Sequence, residues 1–255
     1  MDLSSAFSLN GKVALITGAS KGIGFGIAEV FASAGATVVI NSRKQDALDE
    51  KVNLLKKQGY RASGIACNVG NMSELPGLVE KTVERYGTID ILVNNAAVNP
   101  IMGPVHETSL EAFDKIMNVN VKAPYELCRL CYPYLRRSSD ASVINISSIG
   151  AVSPETGLGI YSVSKAALIS LTKVFAKEWA DSKIRVNAIC PGLIETKFSE
   201  SLWSNEKIMS KILQQLSIKR PGTTSEIGLL ALFLAAGASS YTTGSVFTAD
   251  GGFTI

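Results

Sequence analysis

The chain has 255 residues, 46% of them hydrophobic and 18% charged, and a formal net charge of +3. This supports one sizeable core with a surface apolar enough to self-associate. Lysines and arginines are interspersed with acids and form no basic stripe, which argues against a nucleic-acid partner. The N-terminus has no basic segment followed by an apolar run, and the longest apolar stretch, 227–238, is too short to span a bilayer. The ending Phe253-Thr-Ile255 matches no peroxisomal or retention signal. A cytoplasmic protein without a membrane partner is expected.

The first predicted strand, Val13–Ile16, runs into Thr17-Gly-Ala-Ser-Lys-Gly-Ile-Gly24. A helical pattern follows, with Ile23, Ile27, Val30 and Ala34 on one face. Glycines at a strand-to-helix turn let backbone approach a pyrophosphate, and the helix N-terminus offers it unpaired N–H groups and a favourable dipole. A second strand, Ala36–Ile40, completes a strand-helix-strand unit. Where NAD sites place an acid for the ribose 2′-hydroxyl, this chain has Asn41-Ser42-Arg43-Lys44. Ser42 can donate to a 2′-phosphate, Arg43 can grip it, and Lys21 adds positive charge, so the expected cofactor is NADP(H). The competing reading makes Arg43 and Lys44 solvated charges opening the next helix, which suits Lys44.

Alternation continues with a helix at 46–58, a strand at Ala62–Asn68, a helix at 73–86, and an apolar strand at Ile89–Asn95 ending in Asn94 and Asn95. A long helical region follows, Leu110–Arg137. It contains Cys128 and Cys131, which read as core thiols because they lie inside the helix rather than at its start. Next come a strand at Ser142–Ile146, the helix containing Tyr161, a strand at Ile184–Ile189, a helix at 226–236 and a strand at Ser245–Thr248. Seven strands alternating with helices predict a doubly wound α/β sheet in a single domain over 1–255, with ligands at the carboxyl ends of the strands. The segment of about 193–217 lacks a clear strand. Its Phe198, Leu202, Trp203, Ile208, Met209 and Leu213 suit either a substrate lid or surface helices packed on a partner subunit. Cys67 and Cys190 fall on strands, and with the single His106 in a loop they lack metal-ligand spacing, so no metal is expected.

Tyr161 and Lys165 are four apart and share a face if Ser162 onward is helical. A cation beside a phenol lowers its pKa toward neutrality, permitting acid-base work. Ser148, just after the strand Ser142–Ile146, can bond a substrate oxygen.

In Thr17-Gly-x-x-x-Gly-x-Gly24, Asn94-Asn-Ala-Ala97, Asn-Val-Asn120-Val, Ser148, Tyr161-x-x-x-Lys165, Pro191-Gly192 and Asp250-Gly-Gly252, the chain resembles the short-chain dehydrogenase/reductase family from Gly11 to the end. The resemblance implies a Rossmann fold and a homotetramer. It also implies a catalytic set in which Tyr161 exchanges the proton, Ser148 polarises the substrate oxygen, Lys165 bonds the nicotinamide ribose and lowers the phenol pKa, and Asn120 holds a relay water. Gly18, Ser20, Lys21, Gly22, Ile23, Gly24, Ser42, Arg43, Asn68, Val69, Asn95, Ala96, Pro191, Gly192, Ile194 and Thr196 would contact the cofactor together with Tyr161 and Lys165. The family commonly has Asp at Asn68 and Gly at Ala97, which implies modestly weaker binding.

Within the family the chain looks most like the NADP-dependent carbonyl reductase and retinol dehydrogenase branch. An apolar ketone, dicarbonyl or retinoid would lie against Ser148, Val152, Pro154, Leu158, Phe198 and Trp203, each of which could equally be core. One alternative is a 3-oxoacyl-[acyl-carrier-protein] reductase, with Arg129, Arg136 and Arg137 as candidates to meet the acidic carrier. A sugar or polyol dehydrogenase is another, and an NADP-binding sensor or scaffold without turnover is a third.

Overall fold

A computed structural model describes residues 3–196 and 206–255. Seven strands form one sheet: β1 (Val13–Ile16), β2 (Thr37–Ser42), β3 (Ala62–Ala66), β4 (Ile91–Asn94), β5 (Ala141–Ile146), β6 (Ile184–Pro191) and β7 (Val246–Ala249). Every pairing is parallel, and the order is β3-β2-β1-β4-β5-β6-β7. The order reverses between β1 and β4, which opens a crevice at their carboxyl ends.

Both faces are covered, so alternate residues of a strand enter different cores and the strand reads as one apolar run. Ala14 and Ile16 pack with α1 (Gly22–Ser33), α2 (Gln45–Lys57) and α8 (Thr224–Ala235), whereas Val13 and Leu15 pack with α3 (Leu75–Tyr86), α5 (Ala123–Leu135) and α6 (Gly159–Glu178). The other helices of two turns or more are α4 (Leu110–Met117) and α7 (Glu206–Gln215), and a single helical turn, Leu3–Ala6, precedes β1. Phe198 and Trp203 lie outside the described residues, as does much of the expected lid. No described helix is long and apolar enough to cross a membrane.

Two expectations gain detail. The expected helical region 110–137 is helical without a break to Leu135, with a π-turn at Asn118–Lys122 between α4 and α5. Pro124 has no N–H, so the carbonyl of Asn120 has no donor at the α-helical spacing and the ladder re-registers there. On α1 the buried residues are Gly24, Gly26, Ile27, Ala28, Phe31 and Ala32; of the expected face, Ile27 is fully buried and Ile23 and Ala34 pack partly buried against the same core. Val30 meets α8, which approaches closely: a β-carbon on Gly228 would come within 2.8 Å of Val30 Cγ2 and 2.9 Å of the Gly26 carbonyl. Small residues at that crossing draw Val30 against a neighbouring helix.

At the outer sheet edge, Gln45 covers β3. Its Oε1 accepts from Ala66 N–H at 3.1 Å and its Nε2 donates to the Gly64 carbonyl at 3.4 Å, the pair of bonds one residue of a further parallel strand would make. At the opposite edge β7 is only partly buried.

Buried Arg185 closes the C-terminus of α8. Its guanidinium donates to the carbonyls of Leu234 (2.7 Å), Ala236 (3.3 Å) and Ala235 (3.4 Å), to Ser239 Oγ (2.6 Å) and to Asp140 Oδ1 (3.2 Å). Helix-end carbonyls need such donors when water is excluded. Arg185→Met is therefore expected to lower stability by about 3 kcal/mol, measured by urea unfolding.

Candidate active site

Four loops at the carboxyl ends of the strands meet over the crevice. The first, 17–22, is held from below by β4. Thr17 Oγ1 accepts from the N–H of Asn95 (3.0 Å) and Ala96 (3.1 Å), and Asn95 Nδ2 donates to the carbonyls of Thr17 (2.9 Å) and Gly18 (3.1 Å). This brace sets where glycine is required. Gly18 has φ +64°, and a β-carbon on it would lie 2.8 Å from Ala96 Cα; one on Gly24 would collide with Asn95 Nδ2. Gly22, at φ +59°, opens α1 and faces Thr196 Cγ2, 3.3 Å from where its own β-carbon would be. The result is a backbone cradle at a helix N-terminus, the donor set that fits a dinucleotide pyrophosphate. Lys21 stands exposed at the N-cap, and Ser20 and Ile23 are half-buried beside it.

The second loop presents half-buried Ser42 and exposed Arg43 at the end of β2. Among the described residues Arg43 makes no ion pair, leaving its guanidinium available to a phosphate. The third loop carries Asn68 and buried Val69. The Asn68 N–H donates to Glu74 Oε2 at 2.7 Å, while its Oδ1 accepts from Gly70 N–H at 3.1 Å. Asn118 Nδ2 ties the same turn to the π-turn through the Gly70 carbonyl, at 2.6 Å. The fourth loop follows β6. Pro191 and Ile194 are buried, and Gly192 passes so close to β7 that a β-carbon would lie 2.7 Å from Asp250 Cα.

Ser148, Tyr161 and Lys165 converge between the third and fourth loops. Tyr161 and Lys165 lie on the first turns of α6, and the Ser148 hydroxyl bonds the Tyr161 phenol. Lys165 is 2% exposed; its Nζ donates to the Ile146 carbonyl at 2.7 Å and stands 5.6 Å from the centre of the Tyr161 ring. Burial penalises its charge and lowers its pKa to about 8. The expected depression of the phenol is absent. Burial pushes Tyr161 up to about 12, and the hydrogen bond from Ser148 opposes this only in part. An ammonium that is itself desolvated and bound to a carbonyl does not offset the loss of water around the phenol.

The Asn120 side chain is committed elsewhere. Oδ1 accepts from Val98 N–H at 2.9 Å, and Nδ2 donates to the Val98 carbonyl and to Ser164 Oγ, both at 3.0 Å. Both of its amide protons are thus engaged within the protein. On the substrate side Val152 and Pro154 are exposed and Leu158 is half-buried, so these residues form a rim rather than core. A bond from Gly103 N–H to the Gly157 carbonyl, 3.1 Å, joins that rim to the loop after β4, where Met102 and Val105 are also exposed. His106 is exposed in that loop. Cys128 and Cys131 are buried free thiols whose pKa burial raises, as expected of core residues.

Sequence reasoning missed two supports: Thr17 and Asn95 as the brace, and Glu74 under Asn68. The brace has no signature in spacing, because it joins strand ends that only the fold brings together, whereas Glu74 reaches Asn68 within one local turn.

Known proteins agree with this geometry. Residues 18–254 match the family described as enoyl-(acyl carrier protein) reductase. A short-chain dehydrogenase/reductase of Arabidopsis thaliana, SDRA, is 43% identical over 96% of this chain and 95% of its own length. The chain belongs to the short-chain dehydrogenase/reductase family. Human dehydrogenase/reductase SDR family member 4 is 41% identical over 96% of this short-chain dehydrogenase/reductase and 88% of its own length. The solved L-sorbose reductase of Gluconobacter frateurii, complexed with NADPH and L-sorbose, superposes with a TM-score of 0.92 at 34% identity, covering 98% of this chain and 99% of that one. The protein is accordingly an oxidoreductase of this family.

The buried ammonium has a consequence for stability. A lysine whose pKa falls from 10.5 unfolded to about 8 folded opposes folding below pH 8, and the penalty fades as pH rises from 8 to 10.5. Lys165→Met is expected to be more stable than the native protein at pH 7, by on the order of 1–3 kcal/mol, with the gain shrinking at pH 10. Chemical denaturation at the two pH values checks this.

Proposed function

We propose that this enzyme is an NADP(H)-dependent reductase and dehydrogenase interconverting a carbonyl with an alcohol, most readily an apolar ketone, dicarbonyl or retinoid-like substrate. The observation that carries this reading is the bonded pair Ser148 and Tyr161 beside buried Lys165, next to the glycine cradle. The cradle residues Gly18, Ser20, Lys21, Gly22, Ile23 and Gly24 would hold the pyrophosphate, and Ser42 and Arg43 the 2′-phosphate. Asn68 and Val69 would hold the adenine, Asn95 and Ala96 the ribose, and Pro191, Gly192, Ile194 and Thr196 the nicotinamide. The nicotinamide, when bound, supplies or accepts the hydride.

The chain's own residues handle the proton. A phenol whose pKa is raised to about 12 is protonated at neutral pH, the state needed to donate to a carbonyl oxygen as its carbon is reduced. Ser148 bonds the same oxygen and disperses its developing charge. The phenolate left on Tyr161 faces Lys165, whose pKa of about 8 lets it pass a proton and regain one near neutral pH, by way of a water on the Asn120 carbonyl. The exposed apolar rim of Met102, Val105, Val152 and Pro154 suits a substrate with few polar anchors.

The carrier-protein alternative loses one of its cations, because Arg129 is committed to Glu126 at 2.7 and 2.9 Å. A homotetramer of single-domain, cytoplasmic subunits is part of this proposal; exposed Tyr125 on α5, Val163 and Val174 on α6, and the half-open β7 edge support self-association. Size-exclusion chromatography with light scattering tests the assembly.

Initial rates with NADPH and NADH against an aromatic 1,2-dicarbonyl, all-trans-retinal, an acetoacetyl thioester and a sugar test the activity. NADPH-dependent turnover of the first two is expected. Preference for the thioester would move the substrate to acyl chains, and cofactor binding without turnover would indicate sensing. Tyr161→Phe should lower kcat by about a thousandfold or more with the NADPH Kd within about twofold. Arg43→Ala should weaken NADPH by about tenfold or more and leave NADH unchanged; equal losses would refute the phosphate assignment.

A further inference from the structure

Asn118 and Asn120 lie two apart on the π-turn between α4 and α5, and residues two apart on a helical turn face opposite ways. One reaches the turn after β3, the other reaches α6. Asn118 Nδ2 donates to the Gly70 carbonyl at 2.6 Å, and the two segments pack closely there, since a β-carbon on Gly70 would lie 3.0 Å from Val119 Cγ2. The Gly70 N–H in turn donates to Asn68 Oδ1 at 3.1 Å. On the other side Val98 clamps the buried Asn120 amide through both its N–H and its carbonyl, which fixes Nδ2 toward Ser164 Oγ, 3.0 Å away. Ser164 is fully buried, and its one hydroxyl proton goes to the Tyr161 carbonyl at 2.6 Å. In the α-helical ladder the same carbonyl pairs with the Lys165 N–H, so the bond lands on the turn that carries both groups.

We infer that the π-turn is a bridge between the turn of Asn68 and the proton-transfer helix, with Asn118 and Ser164 as positioning residues at its two ends. Neither touches substrate or cofactor in this role. The path runs from the Gly70 carbonyl to Asn118, through two residues of backbone to Asn120, then by Ser164 Oγ to the Tyr161 carbonyl, and each hydrogen bond along it has one possible donor. Removing the Ser164 hydroxyl leaves a buried Asn120 amide proton without its acceptor, which the π-turn relieves by shifting. A displacement of about 1 Å at a reacting group lowers turnover by up to about a hundredfold.

The inference rests on the proposed placing of adenine against Asn68 and Val69 and of the proton on Tyr161; wild-type binding of 2′,5′-ADP and NADPH-dependent turnover test that reading separately. On the substrate the wild type turns over best, Ser164→Ala is expected to lower kcat by about tenfold, with KM and the calorimetric Kd for 2′,5′-ADP within about twofold. Asn118→Ala should raise that Kd by about threefold or more and lower kcat at saturating NADPH by about threefold or more. In the double variant kcat should fall no lower than in Ser164→Ala alone, because the path from Asn118 to Tyr161 is already cut. Should either alanine variant fail to fold, Ser164→Cys, which keeps the volume and weakens both bonds, and Asn118→Asp, which keeps the shape and removes the donor, are expected to show the same pattern of losses. A merely structural role would lower the melting temperature and leave kcat and Kd of the folded protein unchanged. That result for Ser164 or for Asn118, or kcat losses that multiply in the double variant, would overturn the inference.

Discussion

The arrangement depends above all on a lysine placed where water cannot reach it. Lys165 has one fixed acceptor, the Ile146 carbonyl, and burial brings its pKa down to about 8. A charge so placed is costly unless paired, and this one faces a carbonyl dipole and the Tyr161 ring rather than a counter-charge. The surrounding packing offsets that cost: β5 and β6 are buried along their whole length, and α6 buries Leu168, Thr172, Phe175 and Ala176 on the same face. The lysine is held because the helix carrying it cannot leave the sheet.

The same logic governs the glycine cradle. A backbone loop that presents N–H groups to an anion cannot satisfy all its own carbonyls, so Asn95 reaches across from β4 to bond those of Thr17 and Gly18. That reach puts an amide group where a side chain on Gly24 would lie, which makes the glycine a packing requirement as much as a conformational one. Strand and cradle become one rigid piece, and Gly192 repeats the device against Asp250 on the opposite side of the crevice. Rigid loops on a rigid sheet suit chemistry whose rate depends on fixed distances.

The two halves of the candidate site differ in character. The half around the glycine cradle is built from backbone, amides and cations on strand ends, whereas the other is a rim of exposed apolar residues that a bond between Gly103 and Gly157 joins across two loops. Loops of the second kind tolerate substitution far better than braced strand ends.

The amino-acid sequence by itself determined the alternation of strand and helix, the glycine turn after β1, the cationic end of β2 and the four-residue spacing of Tyr161 and Lys165, because these are local patterns of periodicity, charge and turn chemistry. The π-turn within the helical region 110–137 is not legible in periodicity, although Pro124 is its visible cause. Periodicity averages over a single turn, and a proline near a helix start looks permissible. The contact of α1 with α8 is equally hidden, because α8 lies far along the chain and meets α1 through glycines that carry no hydrophobic signal. Only the tertiary structure decided the protonation states of the site, since a pKa is set by burial and by partners from other strands. Four apart on a helix placed Tyr161 and Lys165 on one face, but burial against the sheet beneath them determined that the phenol's pKa rises and the lysine's falls.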